Sequence, residues 1–383
     1  MKTKLIFLAN LILTINIIFA QDSLPYLGQT PPSSIPERFG PDYLHSDNTW
    51  SWMGSPTFSL DGKEMYYSKY LNNYDQVKMY IMKDIDGVWT TPQVPDFVGN
   101  TPTDDPFFFK DNNNIYVKRD VTNSNNFQIY IIQRNGNTWN PAQLIAIPYN
   151  NSLGSISNFS ITNDSTFYFT LHTAQGAFIY KSKLVNGFYS AYEILPNQIN
   201  SYNCSSPFIE KDEKYLIFES ERPGGYGSSD LYISFKNNDN WSFPINLGSQ
   251  INSSSWEYAP KITPDGQYLF FCSKRAGDIN SNAYWVDADI IDQLNPFAGI
   301  SNNCNNHYSF SVFPNPFNDK ISIGGIENQV VDITIYNVLG ELVWKKRNVE
   351  SGYNFDLSFL TNGFYVVNIS GSKATEQHKL LKK

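Results

Sequence analysis

The 383-residue sequence contains few of the groups that most often carry chemistry: it has three cysteines and four histidines. Three cysteines are too few for a disulfide framework, and their spacing fits no zinc site. A formal charge of −8 excludes the basic face of a nucleic-acid binder. The sequence also lacks the G-x-S-x-G, H-E-x-x-H, P-loop and G-x-G-x-x-G patterns. We therefore predict no cofactor, no metal, no nucleic-acid partner and no assignable catalytic residue.

Long hydrophobic runs are absent except at the N-terminus, where Leu5 to Phe19 is almost continuously apolar. Lys2 and Lys4 precede this run, and Ala20 ends it with a small residue. A positive start and a short apolar stretch are typical of a secretory signal peptide, and the run is too short for a membrane span. The sequence predicts a signal peptide over 1–20, a tail over 21–36 and no transmembrane segment.

Aromatic residues are abundant, with 25 Tyr and 27 Phe, while only 17% of residues are charged. Aromatic side chains fit a pleated, half-buried sheet surface well, so this composition favours an all-β protein.

A hairpin pattern that begins with "SPTFSLDGKEMYYS" recurs five times at a spacing of about fifty residues. The first positions of the copies are Pro56, Pro106, Ser157, Pro207 and Pro260. A third apolar segment follows in each copy, marked by Tyr80, Tyr130, Tyr180, Tyr232 and Tyr284. Four copies then add an aromatic residue and a short last strand. Four short strands per unit at this period predict a β-propeller blade.

The fifth copy lacks its fourth strand, and a similar segment precedes the first copy. We predict that Pro41–Leu44 completes the fifth blade by pairing with its third strand near Ala283–Val286. Such a closure leaves no free sheet edge in the ring. The sequence thus predicts a five-bladed propeller over 37–294.

Three segments of the repeat, "SPTFSLDGKEMYYS", "APKITPDGQYLFFCSKR" and "IFESERPGGYGSSDLYIS", resemble the TolB-type, WD-repeat-like propeller repeats of exported bacterial proteins. The second and third copies depart from this pattern at the Pro-Asp-Gly turn. The resemblance implies a binding or scaffolding module and does not specify a ligand.

The composition changes after the propeller to a polar, Asn-rich linker over 295–308. The remainder, 309–383, has alternating strands that predict an Ig-like β-sandwich. "FSVFPNPFNDKISI", "ITIYNVLGELV" and "LSFLTNGFYVVNI…KLLKK" resemble, in order, the motifs of a type A C-terminal sorting domain of the type IX secretion system. The matching positions are Pro314, Asn315, Pro316, Gly340, Gly363, Tyr365, Lys379, Lys382 and Lys383.

This resemblance implies handling by the type IX machinery and its sorting protease. It also implies delivery through the periplasm to the outer-membrane surface or the medium. An ordinary Ig-like binding domain is the alternative.

One face of the predicted ring carries the connections between blades and the loops between second and third strands, and these are the long loops. Long loops carry function more often than short turns do. We predict a ligand-binding face that is rich in aromatic and charged residues. Its candidate members are Trp50, Trp52, Asp104, Asp105, Arg222, Tyr226, Trp256, Glu257, Tyr258 and Arg275. Each aromatic residue has the alternative role of packing a loop onto a blade.

These features favour an exported binding or scaffold module whose ligand is a glycan or an envelope protein. The alternative is a polysaccharide-active hydrolase that uses the channel carboxyl groups of Asp104, Asp105 and Glu257. A third hypothesis is a structural partner in an envelope complex. Two or more carboxylates clustered in the channel favour the hydrolase, whereas a flat long-loop face without a pocket favours the structural partner.

Overall fold

The computed structural model describes residues 26–44, 50–71, 76–122, 126–148, 155–237, 240–275, 277–295, 311–324, 330–337, 342–350, 354–371 and 375–383. The predicted signal peptide, nearly all of the linker and Gly340 lie outside these residues. Within the described ranges, no helix has the length and apolar character needed to cross a membrane.

The repeats fold into five antiparallel sheets, each corresponding to one predicted blade. A short strand, β1 (Glu37–Arg38), precedes the first blade. Blade one contains β2 (Trp50–Met53), β3 (Thr57–Phe58), β4 (Glu64–Leu71), β5 (Gln76–Ile85) and β6 (Val88–Trp89). Blade two contains β7 (Thr103–Phe109), β8 (Asp111–Arg119), β9 (Gln128–Asn135), β10 (Thr138–Trp139) and β11 (Gln143–Leu144).

The other three blades repeat this plan. Blade three contains β12 (Ser155–Ile161), β13 (Phe167–Thr173), β14 (Gly176–Ser182), β15 (Leu184–Val185), β16 (Phe188–Tyr189) and β17 (Glu193–Ile194). Blade four contains β18 (Cys204–Ile209), β19 (Tyr215–Ser220), β20 (Asp230–Asn237), β21 (Asn240–Trp241) and β22 (Ile245–Asn246). Blade five contains β23 (Glu257–Ile262), β24 (Tyr268–Ser273) and β25 (Asn282–Asp287). Short helices are the 3₁₀ turn Tyr26–Gly28, α1 (Pro41–Leu44), α2 (Asn197–Asn200) and α3 (Asp289–Leu294).

The turn between the first and second strands keeps its hydrogen bonds even where its sequence changes. In blade one, Asp61 accepts bonds from the Ser59 hydroxyl at 2.6 Å and the Lys63 N–H at 3.1 Å. In blade three, Asp164 accepts a bond from the Thr166 N–H at 3.1 Å. Asx turns of this kind let a carboxylate replace backbone partners. The copies that depart from the repeat pattern therefore form the same hairpin.

The ring is closed by the N-terminal segment, as predicted, but four residues earlier than predicted. Strand β1 pairs antiparallel with β25, with Glu37 opposite Trp285 and Arg38 opposite Tyr284. Pro41–Leu44, expected to form this strand, is instead the helix α1. Proline lacks a backbone N–H and has a fixed φ, so it suits the first turn of a helix better than a paired strand.

The closure has its own aromatic core. Phe39, which follows β1, is fully buried and packs edge-on against Phe270 and Trp285, with ring centroids 4.8 and 5.2 Å away. Tyr26 is also buried there, so the segment predicted as a tail contributes to the ring.

The C-terminal module is a sandwich of two sheets, as predicted. One sheet has the order β26 (Ser311–Phe313), β27 (Lys320–Gly324), β30 (Asn354–Asp356). The other has the order β29 (Leu342–Val349), β28 (Val331–Asn337), β31 (Gly363–Gly371), β32 (Thr375–Lys382). All buried members of its hydrophobic cluster come from 317–380, so this module has a core of its own.

Two of the three cysteines lie within the described residues. Cys204 and Cys272 are free and buried, and burial raises the pKa of both. Cys304 lies outside the described residues.

Candidate functional site

A cavity of about 1090 Å³ lies at the centre of the ring, and all five blades contribute to its wall. The lining comes from the first strands, the ends of the second strands and the connections between blades. The cavity therefore opens on the side where the sequence places the long loops. This is the size of a site for a small molecule or a short oligosaccharide.

Irregular backbone in the first strands shapes the cavity floor. Blades two to five each have a break in register there, at a residue with positive φ. These residues are Asp105 (48°), Asn158 (34°), Ser206 (51°) and Ala259 (50°). Bulges re-aim side chains next to functional sites, and positive φ at residues other than glycine stores strain. In these four blades, regular strand pairing is interrupted where the first strand borders the cavity.

Blade two places two carboxylates and a lysine in the wall. The Lys118 ammonium lies 3.3 Å from Asp104 Oδ2 and 2.8 Å from Asp105 Oδ2. Burial opposes ionisation of Asp104, but Lys118 and a hydrogen bond from the Tyr70 hydroxyl hold its pKa below the ordinary value. Burial and the adjacent charge of Asp104 raise the pKa of Asp105. Asp104 is therefore the member of the pair that ionises at the lower pH.

Blade four places a different carboxyl group in the same wall. Glu219 is only 6% exposed, and burial raises its pKa to about 7. Its Oε1 is bonded to the Ser205 hydroxyl and its Oε2 accepts a bond from the Trp256 indole N–H at 3.1 Å. Burial thus keeps a large fraction of Glu219 protonated near neutral pH, even though these two donors favour the ionised form.

An aromatic cluster spans the seam between blades five and one. Trp256 lies 5.2 Å from Trp52 and 5.3 Å from Tyr258, measured between ring centroids. The Tyr258 hydroxyl donates a bond to the Met53 carbonyl at 2.8 Å, which ties the two blades together. All three rings line the cavity.

Blade three adds a neutral polar pair. Ser157 Oγ lies 2.7 Å from His172 Nε2, and both residues line the cavity. Burial, followed by the positive charge of Lys118, lowers the pKa of His172. The two side chains offer a hydroxyl and an uncharged imidazole to a ligand.

Five of the predicted binding residues meet in this cavity: Trp52, Asp104, Asp105, Trp256 and Tyr258. The other five, Trp50, Arg222, Tyr226, Glu257 and Arg275, do not line this cavity, and their assignment to a ligand-binding face stays a prediction. Trp50 is 2% exposed and donates its indole N–H to the Ser281 carbonyl at 3.2 Å. Tyr226 is 52% exposed but lies outside the cavity wall.

The three charged residues outside the cavity wall hold loops together. Glu257 is fully buried and accepts bonds from Ser253 and Ser273. Arg222 donates to the Ile199 carbonyl at 2.7 Å. Arg275 donates to the Ile251 carbonyl in the same way one blade later. The two arginines satisfy backbone carbonyls at the connections between blades, whereas Glu257 accepts bonds from serines of its own blade and the connection before it.

Sequence reasoning missed Tyr70, Lys118, His172 and Glu219, although the repeat contains a signal for them. Tyr67, Val117, Phe169, Phe218 and Phe271 occupy equivalent places in the second strands, each opposite the marker tyrosine. The next residue is Lys118 in blade two and Glu219 in blade four, each directly after a run of apolar residues. A charged residue at this position of a second strand indicates that the side chains there face the central cavity.

In the C-terminal module, the opening motif bonds to the last strand. The Asn315 side chain donates to the Lys379 carbonyl at 2.7 Å and accepts from the Leu381 N–H at 2.9 Å. The hydroxyl of buried Tyr365 donates to the Thr361 carbonyl at 2.8 Å. Lys382 packs over the Phe317 ring. The motif residues thus join the two ends of the sandwich.

Residues 311–383 match the family of secretion system C-terminal sorting domains. The C-terminal module is a sorting domain. This match confirms the predicted type IX domain and decides against an ordinary binding domain. The sorting domain directs the protein to secretion or to attachment at the cell surface, in agreement with the predicted localisation.

No curated protein matches the chain by sequence. Among solved structures, an α-L-arabinofuranosidase from Podospora anserina has a TM-score of 0.43 and 12% identity, over 66% of this chain and 93% of its own. A GH62 α-L-arabinofuranosidase from Coprinopsis cinerea gives 0.45 and 11%, over 67% and 97%. An endo-arabinase from Bacteroides thetaiotaomicron gives 0.42 and 12%, over 68% and 97%. These likenesses are distant, and the TolB-type resemblance stays a prediction.

Proposed function

We propose that the propeller is an exported hydrolase that acts on polysaccharides in its central cavity. The observation that carries this proposal is that the wall of one cavity holds two carboxyl groups whose surroundings shift their pKa values in opposite directions. Burial raises the pKa of Glu219 to about 7, whereas Lys118 and Tyr70 outweigh burial and lower the pKa of Asp104. Glycoside hydrolysis needs one carboxylic acid and one carboxylate. Environments that separate the pKa values of two carboxyl groups mark the acid and the base.

In this proposal Glu219 protonates the glycosidic oxygen as the bond to the anomeric carbon breaks. The Asp104 carboxylate accepts a proton from the water that attacks this carbon, so the protons balance. Asp104 is 1% exposed, and its Oδ1 has no hydrogen-bond partner among the described residues.

The aromatic wall supports a sugar as the substrate. Trp52, Trp256 and Tyr258 present ring surface beside the acid, and the amphipathic rings suit the apolar faces of pyranoses and furanoses. The same cluster supports the second candidate, a glycan-binding module without turnover.

The test is the release of reducing ends from a panel of neutral polysaccharides by the purified propeller. Glu219→Gln and Asp104→Asn are each expected to lower kcat by about 10²- to 10⁴-fold, the usual contribution of a general acid or base. Glu193→Gln is the matched control, because Glu193 is exposed on the outer strand β17. Cleavage that is unchanged in both cavity variants contradicts the hydrolase. Binding without cleavage by the wild-type protein selects the second candidate.

A further inference from the structure

The two oxygens of Glu219 have chemically different partners. Oε2 accepts from the indole N–H of Trp256 at 3.1 Å, and Oε1 is bonded to the hydroxyl of Ser205. An indole N–H can only donate a hydrogen bond, whereas a hydroxyl both donates and accepts. Trp256 is the hydrogen-bond partner of Oε2 among the residues that the structure describes, and it cannot accept a proton from this oxygen. Oε1 has an acceptor for its proton, because the Ser205 hydroxyl can rotate to accept it.

We propose that Trp256 is a positioning residue that fixes the acidic proton of Glu219 on Oε1, beside Ser205. Ser205 belongs to β18, the neighbour of the Glu219 strand in blade four, and Trp256 immediately precedes β23 of blade five. The acid is thus oriented by two adjacent blades. This inference rests on the proposed function for its role in catalysis, but the protonation itself requires no substrate.

Trp256 also connects the acid to the aromatic cluster. Its ring packs against Trp52 and Tyr258, while its N–H holds the carboxyl group. A sugar that stacks on this cluster is therefore placed against a carboxyl group whose proton already has a defined direction. A glycosidic oxygen must approach Oε1 or the Ser205 hydroxyl to receive that proton.

Other titratable groups also surround Glu219. Glu221, two residues further along the chain, raises the pKa of Glu219. Tyr258 lines the cavity next to Trp256, and Asp104, Asp105, Lys118 and His172 are among the other titratable groups that line it. None of these others is bonded to the Glu219 carboxyl in the part of the chain that the structure describes. The direct donors are therefore the groups to vary.

The experiment is a pH titration of the wild-type protein followed by the infrared carbonyl band of protonated carboxylic acids. The band of Glu219 is assigned by its loss in Glu219→Gln. In the wild type the carbonyl oxygen is Oε2, which accepts one hydrogen bond. Trp256→Phe removes that bond, so the band is expected to move to higher frequency. The midpoint is also expected to rise by roughly one pH unit, a tenfold gain in proton affinity, because the carboxylate loses a donor.

Trp52→Phe is the matched control, because Trp52 contacts the Trp256 ring and is not bonded to Glu219. It is expected to change neither the band nor the midpoint. If Trp256→Phe does not fold, benzothienylalanine at position 256 keeps the ring shape and lacks the N–H. A band of unchanged frequency in the variant without the N–H overturns the proposal. Polysaccharide cleavage is measured in a separate assay. If no cleavage is found, the infrared titration still shows whether Trp256 fixes the position of the proton on Glu219.

Discussion

Trp50 and Trp52 show how one residue of register changes the role of a side chain. In a regular strand, side chains two positions apart share a face. In β2 the register shifts between these two residues, with Trp50 opposite Leu71 and Trp52 opposite Tyr70. Trp50 therefore enters the core, where the Lys69 ammonium lies 4.2 Å from its ring centroid, and Trp52 enters the cavity wall.

The two tryptophans are expected to respond differently to truncation. Trp50→Ala removes a buried ring and is expected to lower the free energy of unfolding by about 3–5 kcal/mol. Trp52→Ala is expected to weaken glycan binding by about 2 kcal/mol, roughly thirtyfold, with little change in stability. Thermal melting and titration calorimetry on the same proteins separate these effects.

Lys63→Ala is the control for both variants, because Lys63 is exposed in a short turn on the opposite face. It is expected to leave melting and affinity unchanged. An unchanged affinity in Trp52→Ala contradicts the role of the aromatic cluster in binding.

At the level of elements, the repeat predicted the blades well because it depends on local patterns. The marker prolines, the Asx turns and the apolar alternation are each visible within a dozen residues. The closing strand has only two paired residues, and no short pattern separates Glu37–Arg38 from Pro41–Leu44 as its location. Whether side chains such as Glu219 and His172 enter the cavity depends on which face of their strand points toward the ring axis. Bulges change that face along a strand. The sequence therefore predicted the ring more fully than its centre.

The closing element is expected to be a large contributor to stability. Phe39→Ala removes a fully buried ring from the seam of blades five and one, and a loss of about 3–5 kcal/mol in unfolding free energy is expected. Ile35→Ala is the control, because Ile35 is 63% exposed and lies nearby in the chain. Denaturant unfolding of the isolated propeller measures both. Equal stability of the two variants refutes closure by this segment as a stabilising element.

At the scale of the whole molecule, the propeller and the sorting domain have separate hydrophobic cores. The contacts between them include bonds from the Lys379 ammonium to the Asp292 and Gln293 carbonyls at 3.0 Å and the Lys383 ammonium over the Phe243 ring. These contacts are hydrogen bonds and a cation–π contact at the surface, and they bury no shared hydrophobic core. Each unit is therefore expected to fold without the other.

Removal of 309–383 is accordingly expected to leave a folded propeller with an almost unchanged melting temperature. Without the sorting domain this propeller is expected to remain in the periplasm. Cell fractionation, followed by thermal melting of the recovered protein, tests both statements. Its appearance in the medium or on the cell surface at normal levels contradicts the sorting role.

The pairing of β1 with β25 also sets an order of events during export. The strand that completes the ring is made first, yet its partner is made almost 250 residues later, and contacts so distant in sequence form slowly. Until blade five has crossed the inner membrane, Phe39 lacks its contacts with Phe270 and Trp285, and β1 lacks the strand that it pairs with. Apolar surface and strand edges exposed in this way are prone to aggregation. The sorting domain follows blade five in the chain, so the ring has all its strands before the export signal is complete. Because of this chain order, the propeller can fold before the secretion machinery can recognise the sorting domain.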